Sequence, residues 1–240
     1  MTAMAEIRTS REGDIFCIVI DCDDEGSRLS NPMALALANA LDAAGDCRVI
    51  LIRGQGADFC LGRSLAPPPA GAGVNALDVL RDDAGPIIAL YAAFARRSQP
   101  VVGAIQGRAW GIGLVLAAIC DLSFITAQGS FALRELERGI PPCIAMAPLL
   151  DRIAAKALAR LVYTASEADA AWAVAQGIAS EVVPSESLDA RAREAAEKLA
   201  SFPVEAVAAV KRFLVHAPRG DESKAVQFGA SLLANVLGSR

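Results

Sequence analysis

Histidine is almost missing from this chain, with a single one, His216, in 240 residues. A Ser-His-Asp relay would have to be built on that one imidazole, and a multi-histidine zinc or iron site cannot be assembled. The expectation is chemistry carried by carboxylates and backbone dipoles, with no metal and no separate cofactor. Blocks of like charge are missing too. The 23 Lys and Arg and the 27 Asp and Glu are scattered and leave a net charge of −4. This balance argues against nucleic-acid partners and against a polybasic membrane anchor. The cysteines (Cys17, Cys22, Cys47, Cys60, Cys120, Cys143) include no C-x-x-C pair. They read as small buried apolar residues in a reducing compartment. The N-terminal residues MTAMAEIRTSREGD lack the apolar stretch of a signal peptide, so a cytoplasmic location is expected. No apolar run is long and continuous enough for lipid. Val101 to Cys120 comes nearest, but Gln106, Arg108 and four glycines interrupt it, and it reads as buried strand, turn and buried helix.

What is present is a 54% apolar composition, in a chain long enough to bury a core without disulfides or a structural metal. Ile15 to Asp21 and Val49 to Gly54 are short β-branched runs, the pattern of strands buried on both faces. Pro32 to Ala44 reads as a helix, with Ser30 and Asn31 as its cap and Gly45 as its stop. Residues 63 to 75, RSLAPPPAGAGVN, are too rich in Pro and Gly for a helix or strand and predict an irregular loop, either functional or a plain surface excursion. Asn75 to Arg97 reads as one helix, Val101 to Ile105 as a strand, Gly111 to Ile119 as a helix and Asp121 to Thr126 as a strand, with a brief strand at Phe131. From Pro142 the pattern is almost wholly helical. Ser166 and Glu167 open one helix, Ser187 opens another, and Pro203 to Val215 and Asp221 to Leu237 close the chain. The fold class is therefore α/β with a helical C-terminal region.

Three segments carry candidate chemistry. In GQGADFCLGRSL, Gly54 to Leu65, a strand exit leads to a small-residue stretch around Gly62 that lets backbone approach a ligand closely. In QGRAWGIGLV, Gln106 to Val115, a strand feeds a glycine turn that opens a helix. Its first N–H groups can hold an oxyanion or a phosphate, while the same glycines would equally serve tight helix packing. In FALRELERGIPP, Phe131 to Pro142, the carboxylates Glu135 and Glu137 lie two apart. On an extended segment they face opposite ways, so at most one faces a given pocket.

Together the segments VILIRGQGADFCLGRSL, QPVVGAIQGRAWGIGLVLAAICD, FALRELERGIPP and TASEADAAWAVAQGIASEVVP resemble the crotonase, or enoyl-CoA hydratase/isomerase, superfamily over nearly the whole chain. The resemblance implies a spiral of ββα units over residues 1–200 and a C-terminal helical oligomerisation region over 201–240, assembling as a trimer or hexamer. It implies acyl-CoA thioester substrates, with coenzyme A arriving as part of the substrate. The backbone N–H groups of Arg63 and Ile112 match the family's oxyanion-hole donors. Glu135 matches its second catalytic glutamate, and a different register would substitute Glu137. Val115, Trp110 and Leu65 are candidate pocket-lining residues, with Trp110 equally readable as a core aromatic.

The departures bear on the reaction. Val115 stands where the hydratases place their first catalytic glutamate, and Ser64 replaces an Asp common after the first oxyanion residue. Hydration shares its work between two glutamates, whereas moving a double bond from C3 to C2 needs one carboxylate to take the C2 proton and return it at C4. The expected activity is thus 3-enoyl-CoA to 2-enoyl-CoA isomerisation. Hydratase or hydratase-lyase activity, and a catalytically impaired CoA-binding or assembly subunit, are the alternatives.

Overall fold

The strands are β1 (Glu6–Glu12), β2 (Ile15–Asp21), β3 (Val49–Gly54), β4 (Val101–Ile105), β5 (Arg108–Trp110), β6 (Leu122–Thr126), β7 (Ser130–Ala132), β8 (Ala168–Asp169) and β9 (Glu181–Val183) in the computed structural model. The structure describes residues 6–22, 27–64 and 75–238. Among these residues one six-stranded sheet runs β1-β2-β3-β4-β6-β9, parallel except for β1 against β2, and a three-stranded sheet runs β5-β7-β8. The helices are α1 (Asn31–Asp42), α2 (Ala76–Asp78), α3 (Gly85–Arg96), α4 (Ile112–Ile119), α5 (Cys143–Met146), α6 (Ala155–Thr164), α7 (Ala170–Ala175), α8 (Leu188–Ala200), α9 (Val204–His216) and α10 (Glu222–Gly238).

The uninterrupted apolar character of β2 and β3 is explained by what covers them. Ile18, Ile20, Ile50 and Ile52 belong to a core shared with Leu37 and Leu41 of α1 and Leu90 and Phe94 of α3. The alternate residues Cys17, Val49 and Leu51 belong to a second core with Leu188, Ala192 and Ala196 of α8. A strand covered on both faces keeps no polar side, so its alternation disappears. β1 escapes sequence reading for the opposite reason. Its EIRTSRE side chains are largely exposed and it is held to β2 by backbone pairing, so no apolar period marks it.

Several boundaries differ from the sequence expectations. The helix expected over residues 75–97 is α2, a π-helical stretch Val79–Ala84, and α3. The helix expected to open at Ser166 and Glu167 starts at Ala170, because Asp169, at the end of β8, accepts the Trp172 N–H at 2.7 Å and is the actual cap. Cys17, Cys22, Cys47 and Cys60 are buried as expected, but Cys120 is only half-buried and Cys143, opening α5, is exposed. The loop expected between Arg63 and Asn75 lies almost entirely outside the described residues, and Leu65 with it.

The last two helices stack through Phe213 and Phe228, whose ring centroids lie 6.1 Å apart. Lys211 of α9, only 5% exposed, donates to Asp121 Oδ2 at 2.6 Å, and the same oxygen accepts the Val101 N–H at 2.7 Å. This ties the C-terminal helices to the start of β4. His216 ends α9, far along the chain from the glycine segments, and borders a second cavity together with Arg97 and Lys211.

Candidate active site

The smaller sheet aligns the three sequence segments. Asp58 carries a carboxylate that accepts the Arg108 backbone N–H at 2.8 Å and Arg108 Nε and Nη2 at 3.0 and 2.6 Å. This clamps the strand exit after β3 alongside β5. The Arg108 guanidinium holds the Asp58 carboxyl below the usual carboxylate range. Cys60 then bridges Ala109, with Trp110 N–H donating to Cys60 carbonyl at 2.8 Å, and Gly111 N–H donates to Ala132 carbonyl at 2.8 Å. Residues 58–62, 108–111 and 130–133 therefore run side by side, so the ends of all three segments meet. Arg108 to Trp110, expected as part of a turn, is strand β5.

Two glycines make that meeting possible. Gly111 sits at φ +54°, and a Cβ there would lie 2.9 Å from Glu135 Oε1 and 3.3 Å from Gly62 Cα. Gly113 leaves so little room that a Cβ would fall 2.2 Å from Cys60 carbonyl oxygen. The two readings of this turn are both realised: Gly113 lets the start of α4 pack on the Cys60 segment, and Gly111 lets the glutamate approach.

Two N–H groups of this corner, those of Arg63 and Ile112, are unspent among the described residues. Leu29 N–H donates to Gly62 carbonyl at 2.9 Å and Ser64 N–H donates to Leu29 carbonyl at 3.0 Å, so the Arg63 N–H points away from Leu29. Ile112 is the first residue of α4, where helical geometry provides no acceptor. Neither N–H has a hydrogen-bond acceptor among the described residues. Both residues line a cavity of about 290 Å3, with Tyr91, Trp110, Glu135 and Pro142 among its walls.

Glu135 opens a 3-10 turn, Glu135–Arg138, in place of the expected extended segment. The outcome for the two carboxylates is nevertheless a division. Glu137 is exposed and taken by Arg134, whose Nε and Nη2 donate to it at 3.0 and 3.2 Å. Glu135 is half-buried, and its Oε2 is buried with no hydrogen-bond partner among the described residues. Burial pushes the Glu135 carboxyl above its ordinary range, with a backbone hydrogen bond and the Arg138 guanidinium acting the other way.

A family model described as enoyl-CoA hydratase/isomerase matches residues 26–238. The chain belongs to this family. The 2,3-dehydroadipyl-CoA hydratase of Escherichia coli K12 is 28% identical over 230 residues, covering 94% of this chain and 86% of that one. An enoyl-CoA hydratase crystal structure from Mycobacterium smegmatis superposes with a TM-score of 0.88 at 22% identity, covering 96% of this chain and 90% of that one. A Thermobifida fusca structure described as a putative enoyl-CoA hydratase in complex with CoA gives 0.84 at 23% identity, covering 98% and 94%. The α/β crotonase fold, with two sheets and C-terminal helices, is thus the fold of this chain.

Within that family frame, Arg63, Ile112, Glu135 and Trp110 come together on one cavity. Trp110, readable as core or wall, is a wall residue. Its Nε1 donates to Ser130 Oγ at 3.2 Å, the Ser130 hydroxyl donates to Glu167 Oε2 at 2.6 Å, and the Arg108 and Arg134 guanidinium carbons lie 5.2 and 5.1 Å from the ring centroid. Val115 is not a wall residue. It is fully buried in the larger core, as α4 is buried along its whole length, and it is not a lining group among the described residues. Several wall residues escaped the sequence reading. Ile87 and Tyr91, four apart on α3, share a face toward the cavity, and burial raises the Tyr91 phenol well above its usual value. Arg28 also lines the cavity and donates to Leu61 carbonyl at 3.2 Å. No group of three or more His, Cys, Asp or Glu suited to a metal ion exists among the described residues.

Proposed function

We propose that the protein isomerises a 3-enoyl-CoA to the conjugated 2-enoyl-CoA, with Glu135 as the single acid-base group. The observation that carries this reading is the desolvated Glu135 carboxylate, whose Oε2 has no hydrogen-bond partner among the described residues, on the same cavity as two unspent backbone N–H groups. Arg63 and Ile112 N–H receive the thioester oxygen. As Glu135 removes the C2 proton, charge moves onto that oxygen, and the two donors stabilise the dienolate. Glu135 then returns the proton at C4, leaving the double bond between C2 and C3. Removing one donor of this kind in other enzymes costs on the order of 10²–10³ in rate. The family membership supports acyl-CoA as the substrate class. Arg28, Arg134 and Arg138 offer local cations at the cavity for the phosphates of coenzyme A, which suits a chain without any broad basic surface.

A second reading, hydration, is favoured by Glu137 lining the same cavity and by the hydratase name of the Escherichia coli relative. Two features weigh against it. Glu137 is occupied by Arg134, and Val115 supplies no second carboxylate. Spectroscopy separates the two. An isomerase given a 3-enoyl-CoA generates conjugated-enoyl absorbance, and Glu135→Gln lowers kcat by about a hundredfold or more. A hydratase given a 2-enoyl-CoA removes that absorbance, and full activity of the Gln variant would overturn both readings. Binding of CoA without turnover of any thioester would instead favour a binding subunit. The oligomeric expectation is carried by α9 and α10, where Val210, Leu214, Val226 and Leu233 are exposed apolar residues on a helical pair. We assign them to the contact between copies in a trimer or hexamer.

A further inference from the structure

A second cavity, of about 460 Å3, shares no lining residue with the first. The end of α3, at residues 95–98, forms one side of it, and α9 and α10 form the others. Its Lys211 is bonded to the Asp121 oxygen that also accepts the N–H of Val101, the first residue of β4. Trp110 and Ile112 of the first cavity follow the last residue of β4. The two cavities therefore lie toward opposite ends of this strand.

The lining is amphiphilic. Ala95, Ala208, Ala209, Leu232 and Val236 supply an apolar side whose small residues leave the space. Arg96, Arg97, Lys211 and Arg212 supply charge, against one lining carboxylate, Glu205. Acids behind the wall offset part of that charge: Asp42 pairs with both Arg96 and Arg97, and Asp121 pairs with Lys211. Four cations thus meet three carboxylates, and with His216 neutral one positive charge is left over. Arg212 has no ion pair or hydrogen bond among the described residues.

Two buried groups also have donors to spare. Arg97 Nε is buried with no hydrogen-bond partner among the described residues. Lys211, 5% exposed, carries three N–H donors and uses one of them, on Asp121 Oδ2. Unfilled donors on buried cations are costly unless an acceptor arrives. The contact between copies assigned above leaves this wall alone. Ala208, Arg212 and Val215 share the cavity face of α9 at helical spacing, while Val210 and Leu214 lie on another face.

We propose that this cavity binds a free monocarboxylate with an apolar chain. Arg97, Lys211 and Arg212 receive the head, and the alanines of α3 and α9 cover the chain. One negative charge is what the surroundings lack, so a monoanion balances them and a phosphate dianion overshoots. The volume lies within the range of about 300–1,000 Å3 typical of small-molecule sites. The proposal does not depend on the reaction assigned to the first cavity.

The test is calorimetric titration of the full chain with octanoate, in parallel with octanamide, acetate and inorganic phosphate. Octanoate is expected to bind at one site per chain, about tenfold or more tighter than octanamide because of its charge and than acetate because of its chain. Phosphate is expected to bind more weakly than octanoate by a similar factor. Arg212 is exposed, so Arg212→Gln is expected to keep the wild-type circular dichroism while weakening octanoate about tenfold. Saturating coenzyme A is expected to leave the octanoate affinity unchanged. Failure of octanoate to bind overturns the proposal, as does an affinity matched by octanamide, acetate or phosphate. An affinity unaltered in Arg212→Gln overturns it as well. So does displacement of octanoate by coenzyme A, which would put the carboxylate in the first cavity.

Discussion

Glu135 combines two properties that a folded protein ordinarily avoids, an ionisable group half-buried and a carboxylate oxygen with no donor among the described residues. Their consequence is measurable apart from catalysis. Because burial raises the folded-state pKa of this carboxyl, the folded state holds its proton more tightly than the unfolded chain does. The stability linked to this group is fully present below the ordinary glutamate value and is lost as pH rises through the raised value. Glu135→Gln removes that loss. Its melting temperature is expected to exceed that of the wild type by a few degrees at pH 8, with the gain vanishing near pH 4. A variant equally or less stable than wild type at pH 8 would mean that Glu135 is better solvated than its surroundings indicate. The sequence singled out two glutamates as candidates for acid-base chemistry. Which one is desolvated follows from the 3-10 turn and from Arg134 engaging Glu137, and neither is written in the spacing of two residues.

At the scale of elements, the site depends on how closely α4 approaches the segment after β3. The Gly113 Cα faces Cys60 carbonyl oxygen so closely that a methyl group would lie 2.2 Å from it, and backbone on both sides leaves no flexible side chain to yield. Gly113→Ala is therefore expected to lose about 1–3 kcal/mol of stability, read from urea unfolding, as helix and strand exit are forced apart. Activity should fall by more than that loss alone explains, because Arg63 and Ile112 lie on the two parts being separated. If Gly113→Ala unfolds at the wild-type urea concentration, the contact is looser than described. The strand and helix alternation around this turn was legible because β-branched runs and glycine punctuation are local signals. β1 and β5 were not legible. β1 is held by pairing alone with no apolar face, and β5 is three residues whose strand character comes from β7 beside it.

At the scale of the whole molecule, α9 and α10 are fastened to the core from one side only. The buried Lys211–Asp121 pair and the Phe213–Phe228 stack hold them, while Leu214 and Leu233 stay exposed at 57% and 59%. Exposed apolar residues grouped on one helical pair are unusual for a monomer. Light scattering is expected to give a mass at least three times that of one chain. The double variant Leu214→Glu, Leu233→Glu should shift it to a monomer with the helical circular dichroism retained. A monomeric wild-type protein would remove the oligomer assignment and leave the site reading untouched.

The sequence by itself determined the alternating core, the helical C-terminal region and the three chemistry-bearing segments in their order, because apolar period, glycine placement and carboxylate position are properties of neighbouring residues. It also confined any imidazole relay to the single His216. Only the tertiary structure decided that Gly62, Gly111 and Glu135 meet, that Val115 faces the core and Trp110 the cavity, and that Tyr91 and Arg63 belong to the same wall. The physical reason is that desolvation and unfilled hydrogen-bonding capacity depend on what packs against a group from distant parts of the chain, and no local pattern records that.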